Sequence, residues 1–534
     1  MTSPALAPFE TVYAPTAMAA TVDDLATSAA LDVLRRGGSA VDAAIAANAV
    51  LGVTLPNQCG MGGDLFALVH QPGQEPAVLT AAGRAGSGAS ADRLRAAGHE
   101  RMPAYDIASV TVPGCVDGWT LLHERYGRLP FGSLLDAAIG YAASGFPARS
   151  FLADTLTSDK ADAARHIEGA SPVSGPVGPG TVLRRPDLAR TLRAVADGGR
   201  GAFYGGEFGK ALLDLGNGQF TAGDLQTVQA EWTEPLKTDV FGVRVWSPAP
   251  PSSAYLVPSS AWIAERAGLP GDPGDPLWAH VLIEAMRHAA VDRPEVLFDG
   301  ADGNALLAES RLAPRAAALD PGAAADLSDS YRRAGTTYLS VVDGDRMAVS
   351  FMQSNCMSFG SRIPAGQSGV WLHNRGIGFS LRPGSPAGLR PGARPAHTLS
   401  PVLVTDERNT LRAAVGTRGG DSQPQVVLQL LARMFGAGQD PATALASPRW
   451  TLRGEGDDTS FATWGARGRV RVAVEADAPA SWAPGLRDRG HRVEDVAAFA
   501  HSSGHAQVIE TDPATGLLRG AADPRSRSGS ASGF

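Results

Sequence analysis

Cysteine is nearly absent: the 534 residues hold only three, Cys59, Cys115 and Cys356. Three widely separated cysteines exclude a disulfide framework. With no Cys-x-x-Cys pair they also argue against a cysteine-ligated zinc site, and no metal or cofactor is expected. Cys356 reads as a small packing residue. Charge is sparse as well, at 19% of residues, and its balance is acidic, with a net charge of −7 and a pI near 5.9. Without a basic stripe to displace phosphate counterions, nucleic acid is not an expected partner. The opening stretch, Met1–Ala20, lacks both a basic leader and a continuous apolar core. It reads as neither signal peptide nor membrane span, which leads to the expectation of a cytoplasmic protein with no membrane partner. No Gly-x-Ser-x-Gly elbow and no His-Glu-x-x-His helix occur, and no repeat or heptad marks a scaffold.

What is present suffices for a large core. Hydrophobic residues make up 44% of the chain, and glycine with proline about 19%, below the ~25–30% that signals disorder. The length allows one large unit or two to four ordinary domains. Thr21-Val22-Asp23-Asp24 predicts a capping box opening a helix to Arg36, stopped by Gly37-Gly38. Ser39 and Asp42 repeat the start signal for an alanine-rich helix over Ala40–Leu51. Gly60-Met61-Gly62-Gly63-Asp64 precedes a buried-looking strand, Leu65–His70. Phosphate loops follow a strand and open a helix, so these glycines predict close backbone packing instead. Further helices are expected over Trp119–Tyr126, Leu134–Ala143 and Ala279–Asp292, the last with structural histidines His280 and His288. Pro314–Ser330 is unpatterned and is expected to form a flexible approach to the segment that follows.

That segment is Gly335-Thr336-Thr337-Tyr338-Leu339-Ser340-Val341-Val342. Apolar residues alternate from Tyr338, turn at Asp343-Gly344 and return over Met347–Met352, which predicts a hairpin. Threonine at a strand start has an ordinary reading, since β-branched residues suit strands. A sharper reading is that the Gly335–Thr336 bond breaks. The new α-amino group, with a reference pKa near ~8, would then serve as base for its own hydroxyl. A second signal is Gly419-Gly420-Asp421-Ser422-Gln423-Pro424, leading into an apolar-faced helix over Gln425–Phe435. Paired glycines at a helix start either make a plain tight turn or expose N–H groups to an oxyanion.

The order of these segments, with Gln353-Ser354-Asn355, Leu372-His373-Asn374-Arg375 and Pro395-Ala396-His397-Thr398 between them, resembles the γ-glutamyltranspeptidase family of N-terminal nucleophile hydrolases. Thr336–Asp343 matches that family's T-T-x-x-S-V-V-D segment. Gly37–Ala44, the glycines after residue 60, the block from Val110 to Pro147 and the terminal Gly520–Ser526 also look like it. The likeness spans about residue 18 to the end and is weakest between 150 and 330. It implies an α+β fold, the four-layer αββα sandwich, self-cleaved into residues 1–335 and 336–534 that stay together as a heterodimer, with a dimer of heterodimers as one form. It implies Thr336 as nucleophile, Ser354 as its hydroxyl partner and Gly419 and Gly420 as oxyanion hole. Arg84, Asn355, His397 and Thr398 would face the substrate. Arg84 sits two residues later than the family's arginine, and His397 replaces a serine. Arg375 and Gly378 stand where transpeptidases carry an amide and an aspartate for the substrate ammonium. A cation there favours an anionic or neutral acyl group over glutathione, as in the cephalosporin-acylase-like branch. The expected activity is hydrolysis or transfer of a small amide-type acyl substrate. Carbon–carbon bond hydrolysis in bacterial secondary metabolism is one alternative, and an unprocessed binding relative is another. His505 reads as a structural histidine.

Overall fold

The hairpin forms at the centre of a sheet. In the computed structural model, which describes residues 9–158, 167–168, 177–332, 334–454 and 470–534, Thr337–Val342 pairs antiparallel with Ala348–Ser354, Thr337 lying opposite Gln353. Of the opening stretch, residues 1–8 lie outside the described set. The turn differs from expectation: the left-handed residue is Arg346 (φ 64°), while Asp343 accepts the N–H groups of Asp345 and Met347. Its other carboxylate oxygen takes the N–H of Ala40, tying the hairpin to a helix start.

Seven strands build this sheet, in the order Ser530–Gly533, Met18–Thr21, Thr337–Val342, Ala348–Ser354, Asp64–His70, Ala77–Ala81 and Glu231–Thr233. A second seven-stranded sheet runs Val12–Ala14, Leu518–Ala522, Ala506–Thr511, Leu411–Thr417, Val402–Thr405, Val243–Pro248 and Pro235–Val240. Strand periodicity sorts their side chains into layers. Leu339, Val341, Val349 and Phe351 join a core with helices Asp24–Arg35, Ala40–Thr54 and Cys115–Tyr126. Their neighbours Val342 and Ala348 meet Leu403, Ala414 and Ile509 of the other sheet. Val402, Val404, Ala413 and Val415 pack outward on helices Leu256–Arg266, Pro276–Ala290 and Ser422–Leu431. The result is the expected α+β architecture, two sheets face to face between helical layers.

Several boundaries differ in instructive ways. Thr21 ends a strand, so the cap of the first helix is Asp23, which accepts the Leu25 N–H. Ser39 and Asp42 do form a reciprocal capping box, and the helix they open runs on to Thr54, buried almost all round. The Leu134–Ala143 prediction splits into Phe131–Leu134 and Asp136–Ser144. Gly62 and Gly63 are close-packed as expected, since a Cβ would meet the Trp371 and Ser354 carbonyl oxygens at 2.0 and 2.3 Å. The Pro314–Ser330 approach begins inside a helix, Glu309–Ala317. Beyond it the chain is irregular yet held: the Asp329 carboxylate accepts from Arg287, and the Ala325 N–H donates to Glu284. His280 is structural, bonded to His491 and to the Asp320 carbonyl.

Candidate active site

Strand register brings the first groups together. Thr337 opposes Gln353, and Ser354 opposes Asp64 on the next strand. Thr336, Ser354 and Asp64 therefore form a row across the sheet end. Each lies an even number of residues from Val342, Ala348 or Leu68, whose side chains fill the space between the sheets. The Leu411–Thr417 strand of the facing sheet ends nearby, running into the Gly419-Gly420 turn and the Ser422–Leu431 helix.

Thr336 is buried. Its hydroxyl donates to the Gly335 carbonyl oxygen at 2.5 Å, and the Ser354 hydroxyl donates to that same oxygen at 2.6 Å. The two hydroxyl oxygens are 3.3 Å apart. Ser354 is held in turn by the Cys356 N–H, at 2.8 Å. Cys356 is buried and its carbonyl accepts the Gly335 N–H at 2.7 Å, so this residue holds the segment before Thr336 through its backbone. The Thr336 N–H donates to Gln58 Oε1 at 3.2 Å.

Gly419 and Gly420 adopt φ of 136° and 63°, a region that side chains with a Cβ rarely enter. The turn lies against the chain approaching Thr336, and a Cβ on Gly420 would stand 2.6 Å from the Ala334 nitrogen. Asp421 locks this contact. Its N–H donates to the Arg332 carbonyl, and its carboxylate accepts from the Arg332 N–H and from buried Arg293.

Gln423, not singled out from sequence, is one bridge between the sheets. Its Nε2 donates to Thr336 Oγ1 at 3.2 Å, while its Oε1 accepts the Ser400 N–H at 3.0 Å. The sequence signal was an amide in the first helical turn after paired glycines. Replacing Gln423 by leucine is expected to lower kcat by roughly 10- to 100-fold, because a donor that orients the hydroxyl is lost. Steady-state assays on fully cleaved protein check this, and a change confined to KM would contradict it.

Asp64 was also missed, although a carboxylate heading a wholly buried strand is a signal in itself. Its Oδ1 accepts the Gly83 and Gly114 N–H groups, and His397 Nε2 donates to Oδ2 at 3.2 Å. Burial alone would raise its pKa, but His373, His397 and these N–H donors pull it down to about 2. Burial, reinforced by the Arg375 charge, holds His397 at about 3, so its imidazole is neutral at pH 7. His397 Nδ1 accepts the Leu399 N–H, so both ring nitrogens are engaged.

That low histidine pKa has a stability consequence. The unfolded chain binds a proton near pH 6.5 that the folded chain refuses until about pH 3, so stability is full above 6.5 and falls as pH drops. One such histidine contributes on the order of 1 kcal/mol of lost stability between pH 7.5 and 5.5. Urea unfolding at the two pH values is expected to show this difference, reduced in His397→Gln; an unchanged pH dependence would contradict it.

The other residues predicted from sequence separate into two groups. Arg375 is buried, and its Nη1 donates to Thr398 Oγ1 at 3.2 Å. Asn355 follows Ser354 at the strand end: its N–H donates to the Gln58 carbonyl and its Nδ2 to the Pro56 carbonyl. Arg84 is set apart from these. Its guanidinium is engaged by the Gly392 carbonyl and Glu231, and no hydrogen bond among the described residues joins it to Thr336. His505 is buried against His501.

Two seven-stranded sheets face to face between helical layers form the fold of the N-terminal nucleophile hydrolases. The chain belongs to the gamma-glutamyltranspeptidase family, whose pattern matches residues 26–533. It is 35% identical to the oxamate amidohydrolase proenzyme of Klebsiella pneumoniae, over 97% of this chain and 98% of that one. It is 32% identical to the glutathione hydrolase-like YwrD proenzyme of Bacillus subtilis, over 94% and 95%. The cephalosporin acylase of Bacillus halodurans superposes with a TM-score of 0.88 at 31% identity, covering 100% of this chain and 99% of the other. The chain is therefore a hydrolase of this family, closer to its acylase-like branch. No helix among the described residues is long and apolar enough to cross a membrane.

Proposed function

We propose that the chain is a proenzyme that severs its own Gly335–Thr336 bond and then hydrolyses a small amide through an acyl ester on Thr336. The observation that carries this reading is the pair of hydroxyls on one carbonyl: Thr336 and Ser354 both donate to Gly335 O. In the first step Thr336 Oγ1 attacks the Gly335 carbonyl carbon, and Ser354 stabilises the negative charge that develops on the oxygen. The carbon–nitrogen bond then breaks, the threonine nitrogen takes up a proton, and water hydrolyses the resulting ester. This frees the Thr336 amine and the Gly335 carboxylate.

The amine then acts as general base, near Gln58 Oε1, its partner before cleavage. The Gly419-Gly420 turn, once Arg332 and Ala334 withdraw from it, offers its N–H groups to the substrate oxyanion. Both fragments contribute strands to one sheet, Met18–Thr21 and Asp64–His70 flanking the hairpin, so they remain joined after cleavage. Since the base is an amine of reference pKa near ~8, kcat/KM is expected to fall about tenfold per unit below pH ~7.5. A pH–rate profile checks this, and a flat profile from pH 5 to 8 would contradict an amine base.

For the substrate, the cation Arg375 in place of an ammonium-binding pair favours an acyl group other than γ-glutamyl, and the likeness to an oxamate amidohydrolase agrees with it. Comparing γ-glutamyl anilide with glutaryl and other acyl amides tests this point. Preferential γ-glutamyl turnover would overturn it.

A further inference from the structure

One side-chain oxygen serves two nitrogens beside Thr336. Gln58 Oε1 accepts the Thr336 N–H at 3.2 Å and Arg418 Nη1 at 3.4 Å. Gln58 is buried, and its amide is fixed from the other end, where Nε2 donates to the Asn57 carbonyl. The Arg418 guanidinium and the Thr336 nitrogen are therefore second neighbours through a single carbonyl oxygen.

Contacts away from Thr336 hold Arg418 in that place. Its Nη2 donates to the His501 carbonyl at 2.7 Å and its N–H to the His505 carbonyl at 3.4 Å. Its guanidinium lies 4.8 Å from the centre of the Phe151 ring, on which the His501 imidazole also stacks. The residue next to it is Gly419, so the cation is carried on the same turn as the paired glycines.

The other charges around Thr336 are answered locally. Asp64 is engaged by Gly83, Gly114 and His397, and Asp421 is paired with Arg293. Arg375, a second cation, bonds to Thr398. Burial keeps the His373 and His397 imidazoles and the Cys356 thiol uncharged at pH 7. Burial, reinforced by the Arg418 charge, holds His501 at about 4 and His505 well below its ordinary value; Asp154 pulls His501 the other way without restoring it. The Gly335 carboxylate formed on cleavage would favour a charged amine until the residues before it withdraw.

An amide nitrogen does not titrate, so Arg418 is without consequence for it in the uncleaved chain. A freed amine of reference pKa near ~8 is mostly protonated at neutral pH, and in that form it cannot take the proton of its own hydroxyl. A like charge close by disfavours the protonated form.

We infer that Arg418 is a positioning residue which, through the Gln58 carbonyl, keeps the freed Thr336 amine unprotonated and ready as a base at neutral pH. This rests on the acyl-hydrolase reading of Thr336 and deepens it.

The test reads the amine directly. Cleaved wild type, Arg418→Gln and Arg418→Lys are treated with acetic anhydride across the range in which an amine titrates, and labelling of Thr336 is followed by the mass of the amino-terminal peptide. The acid limb of kcat/KM is measured alongside. In the wild type the labelling midpoint is expected below the reference value of ~8, a result that needs no variant to fold. Arg418→Gln is expected to move midpoint and acid limb upward together by about half to one pH unit, and Arg418→Lys to hold both near the wild type. A merely structural arginine would lower kcat and leave both in place, which would overturn the inference. A wild-type midpoint at or above ~8 would overturn it too, leaving the Thr336 chemistry standing. The expected shift in labelling, in a protein that hydrolyses no amide, would keep the inference about the amine and sink the hydrolase reading.

Discussion

Thr336→Ala is expected to remain a single 534-residue chain and to lose turnover by on the order of 10⁴–10⁶-fold, the scale seen when a nucleophile is removed. Both effects follow from one atom. Oγ1 is the group poised at the Gly335 carbonyl in the uncleaved chain, and in the cleaved chain it would be the group that forms the acyl ester. The variant should fold normally, because removing a small hydroxyl and methyl leaves the strand pairing of Thr337 with Gln353 intact. Thr336→Ser is the informative companion: it keeps an oxygen at the same place, so cleavage should persist at reduced rate. Denaturing gels over time and activity assays read both. Wild-type cleavage in the alanine variant would place the self-cleaving chemistry on another residue.

Ser354→Ala is the second large effect. Its hydroxyl donates at 2.6 Å to the oxygen on which charge would develop during self-cleavage, and losing one such donor costs about 10²–10³ in rate. Cleavage is therefore expected to slow by that factor. The substitution also strips the Cys356 N–H of its acceptor, costing ~1–3 kcal/mol of stability. Ser354→Thr, which keeps the hydroxyl, separates the two: it should restore cleavage if the oxygen is what counts. Unchanged cleavage kinetics in Ser354→Ala would contradict the assignment.

Much of the fold was legible because its signals are local. Alternation from Tyr338 to Val342, the Ser39/Asp42 capping box and Pro424 in a first helical turn each depend on residues a few positions apart. Two of the differences involve a distant partner. Thr21 looks like a helix cap until Met18–Thr21 pairs with the 339–342 strand and Asp23 takes over. The Asp343-Gly344 turn takes its left-handed residue at Arg346, while the Asp343 carboxylate holds the N–H groups of Asp345 and Met347 within the turn and of Ala40 far from it.

The site divides on the same line. Thr336, Ser354 and the glycine pair stand in contiguous segments and could be proposed from them. Gln423 and Asp64 gain their roles only across the sandwich, where a helix start meets a strand head and one buried carboxylate gathers backbone N–H groups from two loops. Arg375 was legible as a misplaced cation. What sequence could not show is that Arg418 shares the Gln58 oxygen with Thr336.

The measurement that bears most directly on this account is the intact mass and amino-terminal sequence of each piece of the purified, active wild-type protein. The expected result is two tightly associated fragments, the smaller beginning Thr336-Thr337-Tyr338 and carrying an added acyl mass on that first residue when trapped with a slow substrate. Full activity in an uncleaved chain, or a fragment that begins at any other residue, would contradict it.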